Sequence, residues 1–168
     1  EFRRVLFRSE IHNLSANDID VSGWKIRDDQ QQHVFTFPVN SVIAANGYLV
    51  IAEDLQKFAQ QFPFVSNVTG ELGFNLGNSG DAIRIFDYRD SLYLSMVYSD
   101  DISWPQGADG NGYTLELLSA SGDLSDGANW FDGCFGGSPG TAYSAGTAVA
   151  TATGDTEFCS GGNVTLSA

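Results

Sequence analysis

Basic residues, cysteine, proline, histidine and long apolar runs are all scarce in this chain. Of 168 residues only 8 are Lys or Arg against 21 Asp or Glu, a formal net charge of −13. A surface of that sign repels phosphate backbones, so direct nucleic-acid binding is not expected. It favours solubility and can hold divalent cations loosely. No run approaches 18 consecutive apolar residues, and membrane insertion through a helix is not expected. Cysteine is limited to Cys134 and Cys159, without a CxxC pair or a histidine pair beside them, so zinc is not expected either. The two thiols either close one disulfide in an oxidising compartment or pair with cysteines elsewhere. The two histidines, His12 and His33, belong to no HExxH helix and stand near no G-x-S-x-G elbow. The glycines between Gly70 and Gly80 precede no helix, which excludes a phosphate loop. Without a base beside a Ser or Cys there is no activated nucleophile, and the chain is read as non-enzymatic.

Glycine, by contrast, is abundant at 19 residues, and the apolar content of 42% is that of a packed globular domain. Frequent glycine with few prolines marks tight turns between short strands. Strands are expected at Val34–Phe37, Tyr48–Ala52, Asp81–Phe86, Leu92–Tyr98 and Tyr113–Leu117. Asn46-Gly47 precedes the second of these and suits a turn with positive φ. One segment, Asp54 to Phe62, reads as a helix: Asp54 can cap it, and Leu55, Phe58, Ala59 and Phe62 share a face. Regular short strands with glycine punctuation predict an all-β fold, an immunoglobulin-like β-sandwich with one short helix.

The ends differ from the middle. Residues 1–9, EFRRVLFRS, contain Arg3, Arg4 and Arg8; setting them and Glu1 aside leaves 5 basic against 20 acidic residues. The string resembles translated sequencing-adapter sequence and is expected to be an artefact rather than a signal peptide. Residues 141–157 are small and nearly uncharged, as in an inter-domain linker. In 158–168, Val164 and Leu166 alternate with Thr165 and Ser167, as at the first strand of a further immunoglobulin-like repeat.

Ordered motifs fill residues 10–140. Glu10-Ile11-His12-Asn13 is followed by Val21-Ser22-Gly23-Trp24-Lys25-Ile26 with Asp28-Asp29, then Phe35-Thr36-Phe37-Pro38 and Ala45-Asn46-Gly47-Tyr48-Leu49-Val50. Leu76-Gly77-Asn78-Ser79-Gly80-Asp81, Ile83-Arg84-Ile85-Phe86-Asp87, Tyr98-Ser99-Asp100-Asp101 with Trp104-Pro105, and Ala108–Tyr113 with Leu115-Glu116-Leu117 continue the series. Asn129-Trp130 and Gly136–Gly140 close it. In this order they resemble the lamin tail domain family, which usually has a strand before the Glu10 segment. The resemblance implies an immunoglobulin-like sandwich in a bacterial secreted or cell-surface multidomain protein. The expected function is a non-catalytic adhesion or binding module. The alternative is an accessory domain that positions a secreted enzyme such as a nuclease. Its partners would be a protein or carbohydrate ligand and neighbouring domains of the same chain.

Two surface features invite binding. Asp100, Asp101 and Asp109 lie on expected loops with Asn111 and Asp123, and are the candidate ligands of a calcium ion, the one cofactor considered. Ordinary turn chemistry accounts for the same residues. Trp24, Trp104 and Trp130 sit among turn residues, as carbohydrate platforms or, more commonly, as plugs at the open ends of a sandwich.

Overall fold

The computed structural model describes residues 8–144, together with the backbone of 151–153 and 165–167. Eleven strands and one helix build the main body: β1 Arg8–His12, β2 Ile19–Asp20, β3 Lys25–Arg27, β4 Val34–Thr36, β5 Val42–Ile43, β6 Tyr48–Ala52, α1 Leu55–Gln61, β7 Val68–Gly70, β8 Gly80–Phe86, β9 Leu92–Ser99, β10 Tyr113–Leu117 and β11 Trp130–Phe135. The strands β12 Thr151–Thr153 and β13 Thr165–Ser167 follow.

The fold is an immunoglobulin-like β-sandwich. One layer is an antiparallel sheet in the order β4-β3-β8-β9. The other contains β1-β6-β7, in which β1 runs antiparallel and β7 parallel to β6. Two short pairs, β2-β5 and β10-β11, complete the body. The core lies between the layers: Ile26, Phe35 and Ile85 from the first meet Leu49 and Ile51 from the second, with Val21, Phe37, Ile43, Leu72 and Phe74 closing the ends.

β6 explains why its sequence, Tyr-Leu-Val-Ile-Ala, is apolar throughout. Leu49 and Ile51 belong to the central core, whereas Val50 and Ala52 pack on the other face against Phe58 of α1. A strand covered on both faces cannot alternate with polar residues. The helix begins where its cap predicts: the Asp54 carboxylate accepts from Lys57 N at 2.9 Å. It also supplies the crossover that parallel β6 and β7 require. Phe58 is fully buried, with Leu55 and Phe62 beside it, but Ala59 faces solvent and is not part of the packed stripe. With only seven residues, the helix presents a contact face narrower than the periodicity suggested.

The five anticipated strands form, within one or two residues of their expected ends. Asn46 adopts φ 54° and Gly23, ahead of Trp24, φ 73°, both as the turns demand. At the N-terminal end β1 begins two residues before Glu10, where Arg8 and Ser9 pair with Ala52 and Ile51. The remainder of the adapter-like string lies outside the described residues. Thr151–Thr153, inside the expected linker, pairs antiparallel with Thr165–Ser167, inside the segment expected to be a strand. Cys159, and with it the Cys134–Cys159 disulfide, lies outside the described residues.

Candidate functional site

A cleft of about 440 Å³ opens along one side of the sandwich, between β1 of one sheet and β9 of the other. Its floor is core: Ile19, Val21, Phe37, Ile43 and Ile85. Ile11 and Leu94 form the walls, and Trp24 and Tyr93 the rim, their rings 4.9 Å apart and tilted by 58°. Concave, mostly apolar pockets of this size are the usual form of ligand sites. The cleft exists because β1 has β6 on one side only and β9 has β8 on one side only among the described residues.

The polar groups at the mouth are already committed. Asn13 is 3% exposed; its Nδ2 donates to the carbonyls of Asn17, Ile43 and Ala44, and its Oδ1 accepts from Ser15 N. It is a latch that ties the end of β1 to β5. Ser15 Oγ donates to Asn17 O at 2.8 Å. His12 stacks on Tyr48, centroids 4.0 Å apart and rings 9° from coplanar. Burial raises the Tyr48 phenol, and the nearby carboxylates of Glu10 and Glu116 raise it further. Among the described residues the His12 ring makes no hydrogen bond to a hydroxyl or thiol, and its contact is the stack on Tyr48.

A second polar centre lies at the far end of the four-stranded sheet. Asp28, Asp29 and Asp81 each offer one oxygen, all within 4.8 Å of one another. These oxygens are largely spent on donors. Asp28, 1% exposed, accepts from Gln30 N at 2.8 Å and meets His33 Nδ1 at 2.6 Å. Asp81 accepts from Gly77 N, Ala82 N and Asp29 N at 2.8 to 3.1 Å. Arg84 holds the Asp28 carbonyl. Tyr98 donates its hydroxyl to Gly77 O at 2.7 Å. Burial pushes that phenol far above its usual range, and Asp81 and Asp28 add to the rise. Asp28 and Asp81 serve backbone N–H groups, and one oxygen from each of three carboxylates falls short of the six to eight oxygens that calcium takes. The cluster builds the turns around β3 and β8.

The residues nominated for calcium are not drawn together. Among the described residues the acidic triad that converges is Asp28, Asp29 and Asp81, not Asp100, Asp101 and Asp109. Asp101 closes its own loop: it accepts from Ser103 N at 2.9 Å and from the hydroxyls of Ser99 and Ser103. Those bonds hold its carboxyl below the usual carboxylate range. Asp123 likewise accepts from Ser125 N, and Asn111 donates to Gln106 O, while Asp100 and Asp109 remain exposed. Turn chemistry therefore describes this region. Gly110 and Gly112 do take positive φ, 68° and 85°.

The tryptophans are plugs. Trp104 is 7% exposed and stands 6.2 Å from Trp130, whose indole N–H donates to Leu124 O. Trp24 packs on the central core. His33 is half-buried and stacked on Phe74 as well as bonded to Asp28.

A family model described as Lamin Tail Domain matches residues 10–100, more than half of the chain. The chain belongs to the lamin tail domain family. Comparison with curated proteins and with solved structures returns no match. An immunoglobulin-like lamin tail domain is a binding or structural module, and the fold is typically non-catalytic. The matched span includes both walls of the cleft and ends before the β10-β11 hairpin. That hairpin and the turn after it are nonetheless tied to the lamin tail domain. Arg8 donates to Gly136 O at 2.6 Å, Gly140 N donates to Glu10 Oε2 at 2.6 Å, and Asn67 donates to Gly140 O at 3.0 Å. No helix among the described residues is long and apolar enough to cross a membrane.

Proposed function

We propose that this lamin tail domain is a non-catalytic adhesion or binding module of a bacterial extracellular or cell-surface multidomain protein. Its ligand is a protein or carbohydrate, and its fixed partners are neighbouring domains of the same chain. The observation that supports this most is the cleft between β1 and β9: mostly apolar, open to solvent, and rimmed by Trp24 and Tyr93. Aromatic rims supply much contact area at small entropic cost. The β12-β13 strand pair, which joins no other sheet among the described residues, is consistent with a further folded unit after the body.

The test is retention of the immobilised domain on a panel of purified extracellular-matrix proteins and oligosaccharides, with Tyr93→Arg alongside. Tyr93 is 66% exposed, so the substitution blocks the mouth without entering the core. Binding that falls at least about tenfold in the variant supports the reading. No retention of any panel member, or retention indifferent to Tyr93, contradicts it. The alternative, an accessory domain that positions a secreted enzyme such as a nuclease, draws on the same typically non-catalytic fold. Excising the domain from the full-length protein separates the two: DNA hydrolysis that disappears with the domain favours the accessory role.

A further inference from the structure

Asparagine followed by glycine occurs twice, at Asn46-Gly47 and at Asn111-Gly112. The pair has a chemistry of its own. Glycine has no Cβ to keep its nitrogen away from the preceding side chain, so that nitrogen can attack the asparagine Cγ. The attack needs an unencumbered N–H, because a donated one must first break its hydrogen bond. Both asparagines are exposed, but their glycines differ. Gly47 N donates to Ala44 O at 2.8 Å, in a turn where Asn46 N also donates to Ser15 O. Gly112 N donates to nothing among the described residues, while its carbonyl accepts from Gly136 N at 2.9 Å.

The chain before Gly112 is held by no ladder, since β9 ends at Ser99 and β10 begins at Tyr113. The Asn111 side chain makes one bond there, from Nδ2 to Gln106 O at 3.1 Å. Its neighbours are less suited to the same attack. Gly110 N, after Asp109, is donated to Ala108 O at 3.0 Å, and an ionised carboxylate is a poor electrophile. Asn78 is followed by Ser79, whose side chain crowds the approach. Only Asn111 combines exposure, a glycine after it and a free N–H on that glycine among the described residues.

We propose that Asn111 is a self-modifying site whose only co-reactant is water. The Gly112 nitrogen loses its proton and bonds to Cγ of Asn111; the Cγ–Nδ2 bond breaks and Nδ2 leaves as ammonia. The cyclic imide then takes up water at either carbonyl and opens to aspartate or isoaspartate at position 111. Nothing is oxidised or reduced. Either product puts a carboxylate where an amide donated, so Gln106 O loses that donor and one more negative charge joins a chain already at −13. Isoaspartate also inserts a methylene into the main chain directly before Gly112. The Gly112 carbonyl receives Gly136 N at the open end of the β10-β11 hairpin, and Gly136 O in turn accepts from Arg8 of β1. Ageing of Asn111 therefore loosens the end of the hairpin that is tied to the sandwich.

The test is incubation of the full chain at mildly alkaline pH, followed by peptide mapping with fragmentation that separates aspartate from isoaspartate. In the native chain Asn111 should convert at least about tenfold faster than Asn46, whose glycine must first release Ala44 O. In urea that protection is gone, and the two sites should convert at similar rates. Hydrogen exchange at Gly136 N–H should quicken in the converted chain. Asn111→Gln retains an amide but needs a larger ring, so it should stop conversion at this position and leave the melting midpoint and Gly136 exchange unchanged. A native chain in which Asn111 stays intact, or in which Asn46 keeps pace with it, overturns the proposal. So does conversion that leaves Gly136 exchange as it was.

Discussion

His33 Nδ1 lies 2.6 Å from Oδ2 of Asp28, a carboxylate 1% exposed, while the same imidazole stacks on Phe74 at 5.2 Å. The pair joins the ends of β3 and β4, and the other Asp28 oxygen accepts from Gln30 N. Removing one member of a buried, bonded pair strands the other without solvent. Asp28→Ala is therefore expected to cost about 3 kcal/mol in urea unfolding. His33→Phe retains the stacking and should cost about half as much, by leaving one carboxylate oxygen unpaired. Equal small losses in both would show that the pair is ornamental.

Phe58 anchors α1 to β6 and is fully buried, whereas Ala59 beside it is exposed. Phe58→Ala should lose about 3–5 kcal/mol through the cavity it opens. Ala59→Ser should stay within about 0.5 kcal/mol of the parent. Both are read from equilibrium denaturation followed by far-ultraviolet circular dichroism.

Acid sensitivity follows from four depressed carboxyls, Asp20 among them, held down by Ser22. The side chains of Lys57 and Lys25 hold Asp54 and Asp90 below their ordinary values, and Ser103 does so for Asp101. A folded-state value below the unfolded one means that the stabilisation is complete above the unfolded value, about pH 4. It disappears as pH falls through the lower folded value. Through these groups the melting midpoint should drop below about pH 4, whereas Glu10, which burial raises, works in the opposite sense at higher pH. In Asp90→Asn the drop should be shallower, because one of the four groups no longer titrates. A midpoint that rises as pH falls below about 4 would contradict these interactions.

Calcium should have little effect on the body. Asp101 is engaged by its serines, and Asp28 and Asp81 by N–H donors. Melts in millimolar calcium and in chelator are expected to agree within about 1 °C, since a ligand bound to the native state alone must raise the midpoint. A gap of several degrees would place an ion in the lamin tail domain.

The elements legible in the sequence were those that carry their own periodicity or punctuation. Tyr48–Ala52, Leu92–Ser99 and the Asp54-capped helix announce themselves through apolar runs, alternation and a cap. β2, β5 and β7 do not, because two or three residues contain too little pattern to distinguish a strand from a turn. Trp130 sits in turn-like company yet opens β11, whose pairing with β10 is a tertiary outcome. The candidate site divides in the same way. Trp24 is visible as a motif residue, but the cleft depends on β1 and β9 approaching from sheets far apart in the chain. Asp100, Asp101 and Asp109 were nominated for charge and spacing. Ser99 and Ser103, which occupy Asp101, show their competition only once the loop is closed.

Val50 and Ile51 are sequence neighbours, both at 0% exposure, yet one packs under α1 and the other in the central core. A single peptide bond thus serves as the party wall of two compartments. Neither compartment can loosen without displacing that wall, so helix and sandwich should melt together in one cooperative transition, with no intermediate in which α1 is free while the sheets remain closed.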